Sequence, residues 1–202
     1  MLRAATVGML VVAAMIMLAT LIRQPASSSA DSFEVTPPGE PGTATGMADA
    51  AATEADGVMP DGASVFDERY PGVVNLHPDL LHALRASATD AAEDGIEFIV
   101  NSGWRSAAYQ DQLLDEAVAT YGSEAEAARW VATADTSAHV SGDAVDIGYF
   151  DAAAWLSEHG AQYGLCPTYD NEPWHFELRK DAPARGCPAT YADPTQDPRL
   201  QR

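Results

Sequence analysis

Positive charge is scarce in this sequence, and so is cysteine. Against 30 Asp and Glu stand only 11 Lys and Arg, a formal net charge of -19 with the histidines neutral. That balance excludes nucleic acid as a partner, because phosphate backbones are gripped by clustered Lys and Arg. It equally disfavours adsorption to anionic lipid. Cys166 and Cys187 are the only cysteines, and no Cys-x-x-Cys pair exists, which argues against a thiolate metal site. Two is the number that a single disulfide needs in an oxidising compartment. Closing a loop of about 20 residues in this way contributes on the order of 3 kcal/mol by the chain-entropy argument. Two free buried thiols are the alternative. There are no internal repeats, and 202 residues leave room for one domain with tails.

The N-terminus holds one long apolar stretch, residues 4–22, with Arg3 before it and Arg23 after it. Its length suits a bilayer span of about 17–25 residues. It exceeds the usual signal-peptide core of about 7–15. Ser28-Ser29-Ala30 nevertheless offers small residues for cleavage. Residues 1–23 are therefore expected to be a membrane anchor or a signal peptide, and either one sends the rest of the chain out of the cytoplasm. Residues 24–62 are rich in Pro, Ser, Thr, Ala, Gly and acids, with few large apolar side chains. Such a composition reads as a disordered linker, since it buries too little to offset ordering entropy. Residues 63–190 are expected to form the folded domain and residues 191–202 a polar tail.

Within the domain, Pro78 can open a helix whose apolar face is Leu80, Leu81, Leu84 and Ala88, ending at Gly95. A strand is expected at 96–100. A helix follows at 106–120, with Leu113, Leu114, Ala117 and Val118 inward. A short helix begins at Ser123, with Glu126 at the capping-box position. Further expectations are a strand at 144–149, a helix capped by Asp151 and a strand at 173–178 carrying Trp174, Phe176 and Leu178 toward the core. Helices and strands do not alternate regularly, which predicts α+β with a small, mostly antiparallel sheet packed with helices.

Three stretches carry chemistry: Ser102-Gly103-Trp104-Arg105-Ser106, Ser137-Ala138-His139-Val140-Ser141-Gly142-Asp143-Ala144-Val145-Asp146, and Glu172-Pro173-Trp174-His175. For His139 and Asp146 to share an ion the chain must turn between them, since seven residues of straight strand would span roughly 23 Å. Ser141-Gly142-Asp143 is a suitable turn. Strand parity then sets Asp146 between the small residues Ala144 and Gly148 on one face, opposite Val145 and Ile147. His175 would point to the same site from the last strand, so that the ion sits on the sheet face. Three N/O ligands with an open fourth position are what a catalytic zinc uses, and bound water then has its pKa lowered towards about 7. Glu172, three residues before His175, could serve as general base without ligating. Arg105 could hold an oxyanion or grip a carboxylate. Each residue alone also has a plainer reading: a packed histidine, a turn aspartate, a solvated arginine. His77, His82 and His159 receive only that reading, His159 as a helix-end charge.

Taken together, Ser-x-His-x-x-Gly-x-Ala-x-Asp, the later Glu-x-x-His and the earlier Ser-Gly-aromatic-Arg-Ser-x-x-x-Gln closely resemble the VanY-type D-alanyl-D-alanine carboxypeptidases. The resemblance covers about residues 73–178. It implies a zinc peptidase in which His139, Asp146 and His175 look like the ligands of one Zn2+, Glu172 like the base and Arg105 like the transition-state arginine. Ser137 and Gln110 match positions near the substrate. Departures flank these residues: Trp104 stands where Tyr is usual, Cys166-Pro167-Thr168-Tyr169 replaces an Arg-Tyr-Pro segment, and Glu177-Leu178-Arg179 replaces a basic-aromatic continuation. They bear on substrate choice more than on catalysis.

The expected activity is trimming of peptidoglycan stem peptides by a monomer outside the cytoplasm, with membrane contact only through the N-terminal segment and a Cys166–Cys187 disulfide. L,D-carboxypeptidase or D-Ala-D-Ala dipeptidase action is the rival within the family, because the motifs describe the metal centre and not the pocket. A non-catalytic wall-binding module with a structural zinc is the rival outside it, and Glu172 is the feature against that. A tethered sensor is weaker still, with almost nothing on the cytoplasmic side to carry a signal.

Overall fold

The computed structural model describes residues 51–201. The expected anchor, and the linker as far as residue 50, lie outside them. Among the described residues no helix is long and apolar enough to cross a membrane.

A four-stranded sheet is the centre of the domain. Strands β1 (Ile99–Ser102), β2 (Ala144–Gly148), β3 (Leu165–Pro167) and β4 (His175–Leu178) lie in the order β1-β2-β4-β3, every neighbouring pair antiparallel. The helices are α1 (Pro71–Val74), α2 (Pro78–Glu93), α3 (Ala107–Tyr121), α4 (Glu124–Ala127), α5 (Phe150–His159) and α6 (Ala182–Arg185). This is the α+β architecture that the sequence predicts, with the sheet wholly antiparallel.

Hydrophobic spacing accounts for the main packing. Leu80, Leu84, Ala88 and Ala91 recur on one face of α2 and are buried against Phe98, Val100, Val145, Ile147 and Phe176 of the sheet layer. Fully burying each Leu or Phe contributes about 1.5–3 kcal/mol. Pro78 stands at the first turn, and the Nδ1 of His77 accepts the Asp79 N–H at 3.3 Å. His77 thus caps a helix, and His159 bonds the Trp155 carbonyl and stacks on the Trp155 ring. Ser106 caps α3, its hydroxyl accepting from Tyr109 N at 3.1 Å. Only Ala117 of the four expected inward residues of α3 is buried, while Leu113, Leu114 and Val118 are half-buried along clefts.

Several expectations are corrected. Asp151 lies inside the first turn of α5, and the cap position belongs to Tyr149, whose φ of 65° is left-handed. The strands expected at 96–100 and 173–178 begin at Ile99 and His175 instead. Because Trp174 precedes β4, strand parity does not govern it, and it is 40% exposed rather than in the core. Residues 51–62 are not a free linker. Asp56 accepts from Ser106 through its carbonyl and its carboxylate, Met59 packs against the core, and the Ala63 carbonyl takes the Val100 N–H at 2.8 Å. Nor are residues 191–201 a free tail, since Asp193, Pro194 and Asp197 are buried. Cys166 and Cys187 form a disulfide, tying edge strand β3 to the segment after α6.

Candidate metal centre

Each functional side chain is placed by a backbone feature. Asp146 on β2 and His175 on β4 are cross-strand partners, so the ladder itself sets them side by side. His139 sits on the loop before β2. That loop is stitched down by Gly142, whose N–H bonds the His139 carbonyl and whose carbonyl accepts the His77 N–H at 2.8 Å. Gly142 has φ +76°, and a Cβ there would lie 2.5 Å from the Asn75 carbonyl oxygen. Only glycine fits that turn. Arg105 stands just past β1, its N–H bonded to the His139 carbonyl at 3.2 Å.

His139, Asp146 and His175 are all buried and present one ligand atom each within 4.8 Å of one another. His139 Nε2 lies 3.2 Å from His175 Nδ1 and 3.4 Å from Asp146 Oδ1, and His175 Nδ1 is 3.2 Å from the same oxygen. The other nitrogen of each ring is engaged: His139 Nδ1 on the Gly103 carbonyl at 2.8 Å, His175 Nε2 on Glu177 Oε1 at 3.4 Å. Such outer partners fix tautomer and ring orientation at metal sites.

Burial and neighbouring charges shift the three groups in different directions. Burial, then the Arg105 charge, holds His139 below its usual value, which keeps an imidazole lone pair available. Burial also works downward on His175, yet Asp146 and Glu177 outweigh it and raise the ring to about 9. Burial works upward on Asp146, but His139, His175 and Arg105 hold it well below the usual carboxylate range.

Glu172 lies beside this trio, its Oε2 3.7 Å from His175 Nδ1. Its Oε1 is buried with no hydrogen-bond partner, which a native interior rarely tolerates without a purpose. Burial pushes this carboxyl up to about 7. Arg105 donates through Nε to Ser102 at 2.6 Å, through Nη1 to Gln110 at 3.1 Å and through Nη2 to Asp146 Oδ2 at 2.9 Å. Three of the five guanidinium N–H groups are thereby used, leaving two for a ligand. These side chains line a cleft of about 260 Å³.

Both residues expected near a substrate, Ser137 and Gln110, line the cleft. Gln110 is 1% exposed, accepting from Arg105 and donating to the Ala132 carbonyl at 2.8 Å. Sequence reasoning missed Glu177 as the partner of His175, and Pro194 and Leu200 as part of the cleft wall. Period-2 counting from His175 could have found Glu177, since it shares that face of β4.

Fold and site together define a class: an α+β domain with a one-metal cleft on an antiparallel sheet, built from two histidines and an aspartate with a free carboxylate beside them. Residues 73–180 match the family described as VanY, D-alanyl-D-alanine carboxypeptidase, and the chain belongs to that family. A D-alanyl-D-alanine carboxypeptidase of Enterococcus faecalis (strain ATCC 700802 / V583) is 34% identical over 123 residues, 48% of this chain and 43% of that protein. The chain thus spans less than half the length of that curated relative. A Zn(II) complex of a vancomycin-resistance D,D-pentapeptidase VanY is 28% identical with a TM-score of 0.50, over 55% of this chain and 80% of that one. VanYB in complex with D-Alanine-D-Alanine is 27% identical with a TM-score of 0.51, over 55% and 78%. The LD-carboxypeptidase LdcB is 25% identical with a TM-score of 0.51, over 63% and 71%.

Proposed function

We propose that this chain is a zinc-dependent D-alanyl-D-alanine carboxypeptidase that trims peptidoglycan stem peptides. The zinc ligands are His139 through Nε2, His175 through Nδ1 and Asp146 through Oδ1. The observation that carries catalysis, beyond metal binding, is Glu172: a buried carboxylate with an unpartnered oxygen beside the ligand trio. A structural zinc needs no such group.

Zinc, when bound, supplies a Lewis acid that polarises a carbonyl and acidifies water. Glu172 takes the proton from the attacking water and returns it to the leaving amine. Its place beside the ligand trio, with one oxygen unpartnered, suits it to both tasks. Arg105, held rigid by Ser102, Gln110 and Asp146, directs its spare N–H donors at the oxyanion that develops on the substrate carbonyl. Trp130, Val131 and Leu200 give the cleft apolar sides. The disulfide supports action in an oxidising, extracytoplasmic setting. We assign export, and any membrane attachment, to residues 1–23, and take the working unit to be one chain.

The test uses the full chain loaded with zinc and two substrates, a muramyl pentapeptide ending in D-Ala-D-Ala and the matching tetrapeptide, with products read by mass spectrometry. Loss of one alanine from the pentapeptide alone is expected. Loss from the tetrapeptide moves the protein to the L,D class, and release of a dipeptide makes it a dipeptidase. Glu172→Ala should keep its zinc and lose nearly all turnover. A fully active variant overturns the assigned base.

A further inference from the structure

The C-terminal segment lies beyond the matched residues 73–180, yet it reaches the metal centre. The link runs through Glu177, two residues past His175 on β4. Glu177 is 3% exposed and its Oε1 faces His175 Nε2 at 3.4 Å. A carboxylate buried this deeply is costly unless it is paired. Arg199 pairs it as a planar fork, with Nη1 2.6 Å from Oε2 and Nη2 3.1 Å from Oε1. Arg179 also reaches Glu177, but only at Oε2, 3.1 Å away. Among the described residues, therefore, Arg199 is the cation that fixes the oxygen turned toward His175.

Arg199 is itself held in place. Its Nε donates to both oxygens of the fully buried Asp197 at 3.0 Å, and Asp197 also accepts from the Tyr169 hydroxyl at 3.1 Å. The Tyr169 ring packs against His175, centroids 5.1 Å apart. Upstream, Tyr191 exchanges backbone hydrogen bonds with Thr168 and Asp170, and Asp193 accepts from Arg129 at 3.1 Å. The segment is thus latched ahead of the position where it delivers its arginine.

We infer that Arg199 is a positioning residue of the metal centre. It fixes Glu177 so that this carboxylate holds the Nε2–H of His175 and leaves Nδ1 aimed at the ion. Residues 191–201 are on this account part of the site. The inference rests on the zinc reading above and extends it to residues outside the family match.

The experiment measures the Zn(II) dissociation constant of the full chain by competition with a chromophoric chelator, and so does not depend on turnover. Arg199→Met should weaken zinc binding by about 10–100-fold, the usual cost of removing an outer partner of a ligand. Arg199→Lys keeps the charge without the fork and should fall between. Glu177→Gln combined with Arg199→Met should bind no more weakly than Glu177→Gln alone, because the arginine acts through that carboxylate. Wild-type affinity in Arg199→Met overturns the inference, as do losses that add in the double variant. If Arg199→Met does not fold, wild-type affinity in Arg199→Lys overturns it instead. A wild-type chain that takes up no zinc defeats the zinc reading as well, which separates that failure from this one.

Discussion

Arg105 and Asp146 share a contact that leaves the aspartate divided: Oδ2 meets Nη2 at 2.9 Å, while Oδ1 faces both histidines. One carboxylate thus orients the arginine with one oxygen and offers the other to an ion. Arg105→Lys keeps the charge, but an ammonium cannot meet Ser102, Gln110 and Asp146 in one plane. We expect kcat to fall about 100- to 1000-fold, the scale of losing an oxyanion donor, with zinc content unchanged in elemental analysis. Undiminished kcat would mean that the guanidinium does not face the reacting carbonyl.

Gly103 is fixed from two directions. Its carbonyl holds His139 Nδ1 at 2.8 Å, and a Cβ at this position would lie 2.0 Å from the Gly72 carbonyl oxygen. Gly103→Ala must therefore shift the backbone that anchors His139. The expected result is zinc affinity lowered at least about tenfold, together with a lower melting temperature. Both are readable on one purified sample, and an unchanged dissociation constant would show that the carbonyl is not the anchor.

The disulfide predicts a stability effect. Replacing Cys166 and Cys187 together by alanine should cost about 2–4 kcal/mol, seen as a lower urea midpoint at similar slope. An unchanged midpoint would mean that the sheet edge and the segment after α6 are held by their other contacts alone.

Much of the site was legible because its residues are close in sequence and tied to strand parity. His139, Asp146, His175, Glu172 and Arg105 stand in three short stretches, and the structure brings all three together. Helix α2 was legible from its leucine spacing, and the antiparallel α+β layout from the irregular order of elements. Strand β3 was not, being three residues long and ending on Pro167. Trp174 was misplaced because parity was carried past the start of β4. The segments at 51–62 and 191–201 were misread for a shared reason. They attach through single anchors such as Met59 and through hydrogen-bonded polar groups such as Asp56, Asp197 and Arg199, which leave no hydrophobic period to detect. Gln110 was assigned by position to the substrate; it lines the cleft, and its amide oxygen accepts from Arg105.

The pairing of Asp146 with His175 across the central ladder has a practical corollary. A slip of one residue between β2 and β4 would turn one of these two side chains to the opposite face, and the pair would no longer meet on one face of the sheet. Stoichiometric metal uptake is therefore a sign of correct strand alignment, usable before catalysis is assayed on variants that leave these side chains and their hydrogen-bond partners untouched.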